Sequence, residues 1–89
     1  MKKQISFAEK VRAVVRKISI GKTMTYGAVA AKAGSPGAAR AVGGIMKKNF
    51  DPSVPCHRVV KSDGKVGEYN RGGPAAKRKL LIVEGAIPV

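Results

Sequence analysis

Tryptophan is absent from this chain, and cysteine and histidine occur once each. A lone cysteine excludes an internal disulfide, and one cysteine with one histidine cannot assemble a zinc site. Aromatic residues are few, two Tyr and two Phe, so the core falls to Val, Ile, Leu and Ala. Acidic residues are scarce too: 5 Asp+Glu stand against 18 Lys+Arg, a formal charge of +13 at pH 7. Charge of that sign draws polyanions, nucleic acid or an anionic membrane surface, unless it serves solubility alone. No apolar run is long enough to span a bilayer. The opening MKKQISFAEK turns acidic and amphipathic too early for a signal peptide. These absences describe an intracellular, reduced, metal-free chain.

What is present suits one small domain, residues 1–89, with no linker long enough to divide it and no repeats. A hydrophobic fraction of 44% argues against wholesale disorder. Residues 6–18 carry a helix signature. Ser6 and Glu9 form a capping box, and Phe7, Val11, Val14, Val15 and Ile18 recur at helical spacing. Thr25 is placed to cap a second helix, YGAVAAKA, closed by Gly34. Ser35-Pro36 then predicts the start of a third helix running to about Asn49. Two short helices joined by a tight glycine-containing turn suggest a helix-turn-helix. VVKSDGKVGEY reads as a hairpin around Ser62-Asp63-Gly64, in the place of a wing. Pro74 opens a last helix whose apolar side is Leu80, Leu81 and Val83, ending at Glu84. The expected fold is mainly α, a small winged helix-turn-helix-like domain with a short β-hairpin wing.

The third helix has two faces. Ala38, Ala41, Val42 and Ile45 form an apolar one; Arg40, Gly43, Gly44 and Lys47 form another that is nearly bare. Each glycine costs a helix roughly 1 kcal/mol against alanine, so two need a reason. Close approach of the helix backbone to DNA is one reason, and close helix–helix packing is the alternative.

The single cysteine and histidine sit together in PCHRVV, residues 55–60. A cysteine becomes a nucleophile where a base, a cation or a helix N-terminus favours its thiolate. Cys56 has His57 and Arg58 beside it, and Pro55 stiffens the approach. Strand neighbours point to opposite faces, so contact between Cys56 and His57 needs a turn or a bridging water. Asn49, four residues after Ile45, falls on the buried face of its helix. Glu84, four after Leu80, is an acid near an apolar side that could hold a His57 tautomer. Each also has a plain alternative: a solvated helix-end charge for Glu84, a helix C-terminal residue for Asn49, a satisfied core histidine for His57.

In combination these segments resemble the O(6)-alkylguanine-DNA alkyltransferases, the methylated-DNA–protein-cysteine methyltransferases. PCHRVV is similar to that family's active-site motif, GAARAVGGIMKKN to its recognition helix, and TYGAVAAKAG to the preceding helix. SDGKVGEYNRGG looks like the loop over the bound base, and KRKLLIVEGA like the terminal helix with its glutamate. The resemblance runs in order from about residue 6 to 86. It implies direct-reversal repair, in which O(6)-alkylguanine is flipped from the duplex and its alkyl group passes irreversibly, once per molecule, to Cys56. His57 would be the base, acting through a water, with Glu84 orienting it and Asn49 ordering the junction. Arg40 would fill the base stack, and Tyr26 would crowd the target phosphate and hydrogen-bond the leaving guanine. Tyr69 and Asn70, with backbone around Val59 and Val60, would line the base pocket. Ala38, Ala39, Gly43 and Lys47 would lie along the DNA in its minor groove. The resemblance implies no cofactor and no metal, no membrane partner, a monomer, and a place on the nucleoid of a prokaryotic cytoplasm or in a eukaryotic nucleus.

The chain is expected to stand without the N-terminal domain that most members of that family carry, and it departs from the usual pattern in one residue added within EYNRGG, where Asn70-Arg71 stand in place of a common serine. That bears on pocket width and alkyl-group preference. The rival reading is an alkyltransferase-like protein that binds alkylated DNA without transfer and recruits other repair factors; in that class the motif cysteine is replaced, whereas Cys56 is present. A winged-helix regulator would explain the charge but leaves Cys56 and Glu84 without a role. A cysteine hydrolase would need a substrate cleft and an oxyanion motif that are not evident. If Arg40 fills the stack, Arg40→Ala weakens binding to duplex lesions far more than to the free alkylated base. Titrations with both ligands check this, and equal losses would remove Arg40 from flipping.

Overall fold

The Oγ of Ser6 accepts the Glu9 N–H at 3.1 Å, satisfying one of the donors that a helix start leaves free. In the computed structural model, which describes residues 5–89, helix α1 follows as Phe7–Arg16 and buries Val11 and Val15. Residues 1–4, the charged opening weighed above against a signal peptide, lie outside the described residues. Gly21, at φ +85°, turns the chain beneath its far end: a Cβ there would stand 3.3 Å from the Glu84 carbonyl oxygen. Strand β1, Met24–Thr25, leads into helix α2, Tyr26–Lys32, whose Ala28 N–H is capped by Thr25 Oγ1 at 3.0 Å.

α2 ends in a two-bond cap. Gly34, at φ +95°, donates its N–H to Ala31 and Ser35 donates to Ala30. This use of Ser35 corrects the predicted third helix. Ser35 closes α2, a turn from Ser35 to Ala38 follows, and α3 runs Ala39–Lys47 without a side-chain cap. Its buried stripe is Val42 and Met46 with Asn49 beyond, while Ala41 is exposed. α2 and α3 pack on α1 in a helix-turn-helix arrangement. Val11, Val15, Val29, Val42 and Val59 are fully buried in their common core.

The hairpin is also corrected in detail. Strand β2, Val59–Val60, pairs in parallel with β1, Met24 opposite Val59 and Thr25 opposite Val60. Beyond it, one tight turn is closed by the Lys61 N–H on Lys65 O and the Gly64 N–H on Lys61 O. Gly67, at φ +82°, then bends the chain away, so no return strand forms along β2. The wing is a loop.

α4, Gly73–Val83, carries Pro74 in its first turn, as expected. Its inward stripe is not Leu80, Leu81 and Val83. Lys77 and Leu81 are fully buried and Glu84 follows on the same side, while Leu80 and Val83 are exposed. A helix rotated to bring 77, 81 and 84 inward must turn 80 and 83 outward. Leu81→Ala is therefore expected to destabilise the domain by about 3 kcal/mol, the usual cost of a fully buried leucine. Urea unfolding checks this; a loss below about 1 kcal/mol would mean that α4 does not depend on that contact.

Candidate active site

Asn49 shapes the approach to the cysteine. Its Nδ2 donates to the Val54 carbonyl at 3.1 Å and its Oδ1 accepts the Asp51 N–H at 3.3 Å, so the end of α3 holds residues 50–55 as a fixed bend. Cys56, His57 and Arg58 then form a single turn of 3-10 helix leading into β2. That supplies the turn required for neighbouring side chains to serve one site. Cys56 is buried and free of any disulfide.

Behind the turn, Glu84 gathers both of the next side chains. Its Oε2 lies 2.9 Å from His57 Nε2 and 2.8 Å from an Arg58 terminal nitrogen, and its Oε1 accepts from Arg58 Nε at 3.0 Å. Arg58 donates also to the Ile18 carbonyl at 2.8 Å. The Arg58 hydrogen bonds, and after them the His57 contact, hold the Glu84 carboxyl down at about 2. A carboxylate that stays ionised fixes the orientation of the His57 ring through that contact.

In front lies an open cleft of about 970 Å³. Arg40, Gly43, Gly44 and Lys47, the bare face of α3, form one bank, and Tyr26, Lys61, Tyr69 and Asn70 stand around Cys56. The two helix glycines are not packing requirements: a Cβ on either would meet nothing within 4 Å. That removes the helix–helix alternative for residues 43 and 44 within this chain. The Tyr69 ring meets His57 edge to face, with centroids 6.4 Å apart.

Not every expected residue faces this cleft. Ala39 lines it, but Ala38 is partly buried against the core. Val59 is fully buried, and both Val59 and Val60 sit in the β1–β2 pairing, outside the cleft lining. Asn49, His57 and Glu84 stand behind Cys56 rather than in the opening.

Sequence reading missed two residues. Arg58 enters the sequence reading only as a cation beside Cys56, with no link to Glu84. Lys77 is fully buried, donating from Nζ to Tyr26 Oη and to the Glu68 carbonyl, each at 3.2 Å. Burial lowers the Lys77 ammonium to about 8 and raises both Tyr26 and Tyr69 above the usual phenol range. Only its i, i+4 relation to Leu81 hints that Lys77 faces inward. Lys77 at near-neutral pH is a donor, so the Tyr26 oxygen accepts from it and keeps its own O–H free to donate elsewhere.

A helix-turn-helix domain with a buried thiol below its exposed, basic helix defines the class. Comparison with known proteins narrows it. The sequence profile described as 6-O-methylguanine DNA methyltransferase, DNA binding domain, matches residues 6–86. A Mus musculus protein named methylated-DNA–protein-cysteine methyltransferase is 51% identical over 73 residues, 81% of this chain and 35% of that protein. The structure of Mycobacterium tuberculosis OGT in complex with DNA superposes with a TM-score of 0.83 at 41% identity, over 92% of this chain and 50% of that one. S. pombe Atl1, in complex with damaged DNA containing O6-carboxymethylguanine, superposes with a TM-score of 0.80 at 34% identity, over 94% of this chain and 80% of that one. The chain belongs to the 6-O-methylguanine DNA methyltransferase DNA-binding domain family. It spans about a third to a half of the methyltransferase chains it matches.

The Glu84 node sets an acid limit. Its carboxyl falls from 4.5 when free to about 2 in the fold, so the stability it contributes is complete above pH 4.5 and is lost as pH falls towards 2. Glu84→Gln is expected to remove that part of the acid limb and to lower stability at neutral pH by about 3 kcal/mol, because Arg58 loses its partner. Denaturation profiles from pH 2 to 7 check it; parallel acid limbs in both proteins would contradict the assignment.

Proposed function

We propose that this chain repairs DNA by direct reversal, taking the alkyl group of O(6)-alkylguanine onto its own Cys56 in a single turnover. The observation that carries the reading is the bare, basic face of α3 opening directly onto the cleft that holds Cys56. The reading is further supported by the relatives named above.

The proposed partner is duplex DNA. Ala39, Gly43 and Gly44 let the α3 backbone come close, which suits the narrow minor groove. The charge of +13 supplies affinity through phosphates without regard to sequence. The target base must leave the stack to reach a buried thiol, at a cost of a few kcal/mol. Arg40, exposed and lining the cleft, would fill the gap. The protein acts as a monomer in this reading, on the nucleoid of a prokaryotic cell or in a eukaryotic nucleus.

The chemistry is a displacement at the alkyl carbon. The Cys56 thiol proton passes through a water to His57, whose cation Glu84 stabilises. Sulfur forms the new S–C bond as the bond between that carbon and guanine O6 breaks. The departing base takes a proton from Tyr26, which Lys77 replaces through its hydrogen bond. The product thioether is stable, so Cys56 is consumed.

Intact mass after incubation with duplex DNA bearing one O(6)-methylguanine tests this. A gain of one methyl on a Cys56 peptide, with guanine restored, is expected for the wild type, and Cys56→Ala should bind the same DNA without any gain. Transfer by Cys56→Ala would displace the nucleophile. Lesion-selective binding with no mass change in the wild type would favour the second reading, a lesion binder such as the likeness to S. pombe Atl1 suggests.

A further inference from the structure

The cleft wall formed by residues 68–70 is held from two sides. Lys77 grips the Glu68 carbonyl from α4. On the other side, Asn70 Nδ2 lies 2.7 Å from the Asn49 carbonyl, 2.8 Å from that of Lys47 and 3.3 Å from that of Met46. These carbonyls lie at and just past the end of α3, where helices leave acceptors free, and that of Met46 also accepts the Asn49 N–H at 3.1 Å. One carboxamide from a distant loop therefore caps the helix that carries the bare basic face.

The orientation of that carboxamide is forced, since a flipped amide would set oxygen against three carbonyl oxygens. The same orientation leaves Asn70 Oδ1 buried without a hydrogen-bond partner. A surface helix end could be capped by water with no such loss, so the three contacts serve more than α3 itself. The segment closes on itself beyond Asn70, where the Gly73 N–H donates to the Tyr69 carbonyl at 2.9 Å. Asn70 follows Tyr69, the ring beside His57, directly in the chain, so the carboxamide contacts also restrain that residue.

We propose that Asn70 is a positioning residue that ties the Tyr69 wall to the last turn of α3 and so limits the size of alkyl group the cleft admits. The size limit rests on the alkyl-transfer reading; the tie rests on the geometry alone.

Two measurements separate these. Amide hydrogen exchange on the free wild type and on Asn70→Ala reads the tie without any substrate. Residues 67–73 and 47–50 should exchange faster together, by roughly tenfold, as one opening unit. Acceleration confined to 47–50 would reduce Asn70 to a helix cap and overturn the proposal. Single-turnover rates on duplexes carrying O(6)-methylguanine or O(6)-benzylguanine read the size limit. The benzyl-to-methyl ratio should rise about tenfold in Asn70→Ala, as a loosened wall misplaces the small group and admits the large one. Asn70→Asp, equal in volume but without the donor, should do the same. An unchanged ratio, or equal loss on both substrates, would overturn the size limit. Should Asn70→Ala fail to fold, Asn70→Ser carries both comparisons. A wild type that transfers neither group would sink the transfer reading, and the exchange data would still decide the tie.

Discussion

One carboxylate joins three parts of this chain. Glu84 closes α4, receives both Arg58 and His57 from the 3-10 turn, and through Arg58 reaches the carbonyl of Ile18 beyond α1. Arg58 has a structural effect and a chemical one. Its two hydrogen bonds keep the carboxylate charged, and a carboxylate so held is a fixed anion for His57 rather than a competing base. A partly buried pair such as this is costly to break from one side only, since the remaining charge is left partly desolvated without a partner. The turn that carries Cys56 is thus anchored by the same contacts that orient the residue beside it.

The front of the cleft follows a different electrostatic logic. Burial favours neutral phenols at Tyr26 and Tyr69 and lowers the buried ammonium of Lys77 to about 8. Negative charge on Cys56 would further raise the phenols and oppose the fall at Lys77. The two phenols and the ammonium therefore titrate in a common field that includes the sulfur. Tyr26, hydrogen-bonded to the buried Lys77, lines the cleft, while His57 and Glu84 stand outside its lining. In the proposed reaction the two pairs would put proton acceptance and proton donation on opposite sides of the reacting carbon.

α3 shows a compromise between stability and access. Two glycines that meet no neighbour weaken the helix while clearing its surface. Support comes from elsewhere: Val42 and Met46 anchor the helix in the core, Asn49 braces its exit, and Asn70 takes its terminal carbonyls. A helix with a bare working face is held by its buried face and its end.

The sequence by itself determined what lies within a few residues. Ser6 and Thr25 cap helices because a side-chain oxygen reaches an N–H three residues on, whatever the rest of the chain does. The contiguous PCHRVV and the ordered segments around it were enough to indicate the family, and the spacing of Arg40, Gly43, Gly44 and Lys47 placed them on one face. Tertiary structure decided what depends on distant partners. Ser35 was already engaged by α2, so α3 began late. β2 found its partner in β1 rather than in its own return segment. The rotation of α4 buried Lys77 and exposed Leu80, which composition alone would have reversed. Arg58 meets Glu84 across 26 residues and Lys77 meets Tyr26 across 51. No local pattern encodes such pairs, because their energy exists only once the helices have packed and water has been excluded.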